Sequence, residues 1–146
     1  AAYEGEVRQG NDGTVYEGCL EGGKAWGPGT ETYPDGAAYE GEFRDGLRNG
    51  VGAYYFANGK VYEGEWQDSC RHGMGIERQV DGDRRLVLKL MRYKHGALLA
   101  SAPLHQDADD GESEELQLRV LDAVEAARRA SREARLQAGG IDPSAV

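Results

Sequence analysis

The sequence has 146 residues and a mass of 15.9 kDa, which sets a single domain as the prior. It carries 22 glycines, about twice the usual share of roughly 7%. A net charge of −9 is a poor match to nucleic-acid phosphates or to simple attachment on anionic lipid, and no apolar run reaches the length of a membrane span.

The chain has two textures. Residues 1–82 hold 18 of the 22 glycines, 11 of the 12 aromatics and a charge balance of −8, while residues 83–146 balance at −1. No basic-then-apolar leader opens the sequence, and its first residues already belong to a repeat, the expectation for an internal segment. Cys19 and Cys70 form neither a disulfide framework nor a metal-binding pattern and read as two reduced cytosolic thiols.

Tyr-Glu-Gly recurs at Tyr16, Tyr39 and Tyr62 with a constant spacing of 23 residues. The spacing also aligns three G-x-G pairs (Gly27/Gly29, Gly50/Gly52, Gly73/Gly75) and three turn pairs (Asp35-Gly36, Asn58-Gly59, Asp81-Gly82). An earlier copy at Tyr3 lies 13 residues before Tyr16 and lacks the G-x-G stretch. It is either a degenerate edge unit or a unit with an omitted loop.

Each unit reads as a β-hairpin. Alternation puts Tyr39, Gly41 and Phe43 on one face and Glu40 and Glu42 on the other. A polar loop around Gly46 and Asn49 reverses the chain, a return strand runs from Gly50 to Phe56, and Asn58-Gly59 supplies a positive-φ turn. Short connections make successive strands pair antiparallel. Glycine weakens a strand, so its abundance predicts holes in which a neighbouring ring lies flat. The outcome is a row of aromatics down one face, built by units that must stack to bury it.

Residues 85–99 read as a worn final hairpin capping the sheet, with a local charge of +4 over residues 83–99. Residues 100–112 read as an acidic, solvated linker. Residues 113–138 predict a long helix with Ser113 as N-cap, stopped by Gly139-Gly140, and residues 139–146 form a tail. Leu116, Val120, Leu121, Val124 and Ala127 make an apolar stripe at helical spacing, and further alanines keep the helix slim. The stripe must be buried against its own sheet's groove, a partner protein or a membrane surface. Docking on its own sheet ranks first and a partner protein second; five acidic and five basic side chains over residues 114–138 suit a membrane surface poorly, which ranks last.

The repeat residues resemble the MORN repeat, whose pattern runs close to YEGEWxxGxxHGxGxxxxxDG. The likeness covers residues 39–61 and 62–84 closely, 16–38 well and 3–15 in part. Cys19-Leu20 in place of Glu-Trp, Trp26 in place of His, and Ser69 in place of the loop Gly are local departures. The resemblance implies a mainly β fold over residues 1–99: an elongated single-layer antiparallel sheet of hairpins with a shallow aromatic groove. The Val124-to-Arg135 stretch is similar to the Ala/Arg-rich helix of junctophilins. Members of the family include cytoskeletal and flagellar scaffolds, membrane-contact proteins and modules attached to enzymes such as lipid kinases and methyltransferases.

No catalytic, cofactor or metal site is expected. Glu40/Glu42 and Glu63/Glu65 fall on a face read as solvated, with no pocket to raise a carboxyl pKa. His72, His95 and His105 lack zinc spacing, and His72 reads as packing near a repeat loop. Gly22-Gly23-Lys24 does not complete a phosphate-binding loop. The expected function is a non-enzymatic, cytoplasmic scaffold in a cytoskeletal or ciliary assembly. Its groove of Tyr16, Tyr33, Tyr39, Phe43, Tyr54, Phe56, Tyr62 and Trp66 would receive partner helices. The alternatives are a membrane-contact or phosphoinositide-binding module using Lys89, Arg92 and Lys94, and an accessory module of a larger enzyme. Open sheet edges allow pairing between copies.

Overall fold

The computed structural model describes residues 5–10, 12–103 and 111–137. Tyr3, the linker residues 104–110 with His105, the tail 138–146, and the side chains of Leu116 and Ser113 lie outside the described residues. The described residues form nine strands and one helix: β1 (Gly5–Gln9), β2 (Val15–Glu21), β3 (Lys24–Thr32), β4 (Ala38–Arg44), β5 (Leu47–Tyr55), β6 (Val61–Gln67), β7 (Cys70–Val80), β8 (Leu86–Lys94), β9 (Ala97–Pro103) and α1 (Gly111–Gln137). The strands pair antiparallel in simple sequence order, so the fold is mainly β, one open sheet followed by a helix.

Two kinds of turn alternate. Within a repeat the reversal is a two-residue turn with both residues at positive φ, such as Asp45 (51°) with Gly46 (82°), or Asp68 (48°) with Ser69 (66°). The return strand therefore starts at Leu47, three residues earlier than Gly50, and ends at Tyr55, one before Phe56. Between repeats the reversal is an Asx turn: the carboxylate of Asp35 accepts from Ala37 N at 2.9 Å, and the Asn58 side chain accepts from Lys60 N at 3.0 Å. Gly36 and Gly59 take positive φ there as expected, but Gly82 does not. The pairing of β7 with β8 continues to Val80 and Leu86, so the reversal moves outward and Arg84 (φ 60°) takes the left-handed position.

The sequence-stretch read as a linker is shorter than expected at both ends. Ala100 to Pro103 pair with β8, and α1 begins at Gly111, which places Ser113 inside the helix.

A row of glycines crosses the sheet. Gly18, Gly29, Gly41, Gly52, Gly64 and Gly75 are successive cross-strand partners. A Cβ on Gly41 would sit 2.5 Å from the Cα of Gly52, and one on Gly52 would overlap the Tyr39 ring. Tyr16 over Gly29 and Tyr62 over Gly75 repeat the arrangement. Each tyrosine lies flat along its strand and donates its hydroxyl three residues on: Tyr39 to Glu42 O at 3.0 Å, Tyr62 to Glu65 O at 3.2 Å. Those carbonyls sit at a β-bulge, where register shifts between Gly41 and Phe43 and again between Gly64 and Trp66.

Candidate functional site: two faces of one sheet

The tyrosine face is a self-packed aromatic chain. Rings meet edge to face from Tyr16 to Phe43 (5.1 Å), Phe43 to Tyr39 (5.1 Å), Tyr39 to Trp66 (5.5 Å), Trp66 to Tyr62 (5.5 Å) and Tyr62 to Tyr93 (5.8 Å). Phe43 and Trp66, of the second and third repeats, are each wedged between their own tyrosine and that of the repeat before, which ties the units together. Tyr16, Tyr39, Phe43, Tyr62 and Trp66 are consequently buried. Of the eight residues expected to line a groove, only Tyr33, Tyr54 and Phe56 are half-exposed. These three form a ledge, with Tyr33 stacked on Tyr54 at 5.8 Å and Tyr54 against Phe56 at 4.7 Å. Burial pushes the hydroxyls of Tyr33, Tyr39 and Tyr62 far above the usual tyrosine range, because an ionised phenolate would lose its hydration.

Arg48 and Arg71 complete this face and were not singled out from the sequence. The Arg48 guanidinium stacks within 4.9 Å of Trp66 and 5.2 Å of Tyr54. It also donates to Tyr33 Oη at 2.7 Å and Ser69 O at 2.9 Å. Arg71 lies 4.5 Å from the Tyr93 ring. The signal was available: each arginine stands nine residues after the tyrosine of its repeat.

The helix covers the opposite face. A row of Glu17, Thr30, Glu40, Ala53, Glu63 and Ile76 runs across that side by strand register. Helix α1 lies over it and touches β1 to β7. Val124, Ala127, Ser131 and Ala134 are buried at 3-4-3 spacing. Ser131 Oγ shares its proton between Gly41 O (3.1 Å) and Ala127 O (2.8 Å), a distance only a slim helix over a glycine strand can reach. Arg132 meets Glu40 at 3.6 Å, and the Arg128 guanidinium stacks on Tyr55 at 5.5 Å.

The helix therefore docks on its own sheet, but the aromatic groove is not where it sits. Small side chains at Thr30 and Ala53 leave a flat bed there, whereas the tyrosine face is filled by rings. Of the expected stripe, Val124 and Ala127 are buried, and Val120 and Leu121 are half-buried. Ser131 and Ala134 continue the stripe and were missed, Ser131 because a serine breaks an apolar pattern.

The four glutamates read as solvated have structural partners. Glu63 is 3% exposed and paired with Arg78 at 2.7 Å. Glu42 Oε2 accepts from Val51 N at 2.8 Å, and Glu65 Oε2 from Met74 N at 2.6 Å, each capping a bulge. Their carboxylates occupy the space that a side chain at Gly50 or Gly73 would need. His72 Nδ1 accepts from His95 N at 3.0 Å, a turn contact.

The cationic patch of Lys89, Arg92 and Lys94 is not brought together. Lys89 pairs opposite Glu77 on the tyrosine face, while Arg92, three positions on, is opposite Met74 on the other, and Lys94 ends β8. Cys19 is buried and Cys70 exposed. No described helix is long and apolar enough to cross a membrane.

No curated protein matches the chain. MORN repeats are a non-enzymatic repeat module compatible with protein interaction or membrane binding. Tyrosine over glycine and a two-residue positive-φ turn recur in all three units and a bulge-capping glutamate in two of them, and residues 16–38, 39–61 and 62–84 each match the family model of the MORN repeat, so the chain contains three of them.

Proposed function

We infer that this chain is a non-enzymatic protein-interaction scaffold that receives a partner segment on its tyrosine face. The observation that carries the reading is the position of α1. The helix occupies the carboxylate face and leaves the Tyr33, Tyr54 and Phe56 ledge uncovered by any described segment. Half-exposed rings with hydroxyl groups are efficient anchors, because they bury large area at low entropy cost. An amphipathic helix is received by laying its apolar stripe along such a ledge. The setting in a cytoskeletal or ciliary assembly comes from the family resemblance.

The test is a quantitative capture from native lysate with the whole chain as bait, beside a Tyr54→Ser/Phe56→Ser variant and a Glu40→Gln/Arg128→Ala variant. Partners lost only with the ledge variant, and rich in cytoskeletal proteins, support the reading. Partners lost only with the helix-face variant overturn it. Substituting Tyr39 or Tyr62 would not serve, since both are fully buried and hold the sheet together.

A further inference from the structure

The three repeats differ at one position in a way that leaves a slot. Ser69 N donates to Arg48 O at 2.9 Å, Gly96 N to Arg71 O at 2.8 Å, and Gly46 N to Ala25 O at 2.9 Å. These three bonds superimpose Arg48, Arg71 and Ala25 as one structural site. In two repeats the site holds a guanidinium stacked among rings. In the first repeat the side chain is a methyl group, and a cavity of about 260 Å³ opens there; among the described residues its walls include Tyr16, Leu20, Ala25, Glu31 and Gly46, with the exposed Lys24 also on its lining.

The walls correspond position by position at the 23-residue period. Tyr16 stands where Tyr39 flanks Arg48. Gly46 stands where Ser69 offers the carbonyl that Arg48 Nη2 binds. Gly10 replaces Tyr33 and widens the mouth. Glu31 replaces Tyr54, which puts a half-exposed carboxylate beside the slot, and its Oε1 accepts from the Tyr33 hydroxyl.

We propose that this slot takes the arginine side chain of a partner protein, in the place that Arg48 and Arg71 fill from within the chain. The proposal rests on the reading that the tyrosine face receives a partner, and names one anchor of that partner. A planar guanidinium suits the site better than an ammonium: it stacks on a ring and donates to a carbonyl and a carboxylate at once. A tethered arginine needs no ion pair to stay in place, whereas an incoming one gains from the half-exposed Glu31 carboxylate, against the weaker, solvent-screened repulsion of the exposed Lys24. The −8 balance of residues 1–82 favours the approach of a cationic segment.

The experiment titrates the intact chain with an acetylated Gly-Arg-Gly amide, following backbone amide shifts by NMR, with lysine and citrulline peptides as controls. Saturable shifts at Ala25, Glu31 and Gly46 are expected for arginine, with binding about tenfold weaker for lysine and weaker still for citrulline. Ala25→Arg fills the slot from inside and should abolish the response. Glu31→Gln should weaken it about tenfold, and serves even where the larger substitution disturbs the fold. Equal response to all three peptides, or full binding by Ala25→Arg, overturns the proposal. Arg8 lies opposite Tyr16 by strand register, so Arg8→Ala is the last arm. Binding that appears only in this variant assigns the slot to the chain's own arginine and overturns the proposal too. In the lysate capture, Ala25→Arg retaining every partner that the ledge variant loses would remove the anchor and leave the scaffold reading standing.

Discussion

The two faces of the sheet solve the same problem by different means. On the tyrosine face, large rings pack against one another and against glycine, so burial is achieved repeat by repeat with no other element. On the carboxylate face, the side chains are small or charged, and burial requires an outside element, α1. The first face is a property of the repeat and would exist in any array of these units. The second depends on a segment far away in sequence, since Ser131 meets Gly41 across 90 positions. Stability should therefore be uneven, with the ring chain strong and the helix the first element to detach.

Substitutions at the tyrosine face should be the most damaging. Tyr62→Ala removes a fully buried ring that touches Trp66 and Tyr93, and is expected to lower stability by about 3–5 kcal/mol in chemical denaturation. Gly52→Ala inserts a methyl group into the Tyr39 ring and should cost about 1–3 kcal/mol by the same assay. A cost below about 0.5 kcal/mol for either would mean that the rings and the glycine row are not what holds the repeats.

Alkali should break the same face. Burial raises the folded-state pKa of Tyr33, Tyr39 and Tyr62 above the unfolded value of about 10. Their contribution is whole below pH of about 10 and is lost as pH rises toward the folded-state values. Ultraviolet titration near the phenolate band should show these three ionising together with loss of β circular dichroism. Independent ionisation of a folded sheet would contradict it.

Effects on the helix face should be smaller and separable. Val124→Asp places a carboxylate where the side chain is fully buried, so α1 should release while the sheet stays folded. Hydrogen exchange would report this as lost protection over residues 120–137, with the strands still protected. Loss of protection throughout would show that the sheet cannot stand without the helix. Ser131→Ala deletes one buried hydroxyl and should cost about 1 kcal/mol. Glu40→Gln weakens an ion pair with a partly exposed Arg132 and should change stability by less than about 1 kcal/mol, an effect that shrinks further in salt.

Much of this architecture was legible. Constant spacing of Tyr-Glu-Gly and G-x-G fixes which residues share a strand face, because side chains alternate in any strand. Gly-rich stretches beside Tyr predict rings over backbone, and that is how Tyr39 sits on Gly52. Three features escaped. Turn positions moved: a polar loop around Gly46 and Asn49 was expected, but Asp45 and Asp68 accept the left-handed conformation beside Gly46 and Ser69, which closes the reversal in two residues. Glu42 and Glu65 read as solvent-facing by alternation, but the bulge turns their carboxylates onto the backbone. Arg48 escaped as a ring-stacking group because a charged residue near a turn reads as surface, although its nine-residue offset from the repeat tyrosine recurs at Arg71.

The sequence alone determined the repeat, its period and the row of aromatics, because local alternation and glycine holes are written within each unit. Only the tertiary structure decided which face the helix covers. An apolar stripe states that burial is needed and not against what. The choice fell to the carboxylate face, where small side chains admit a slim helix close enough for a serine to reach the backbone of the sheet.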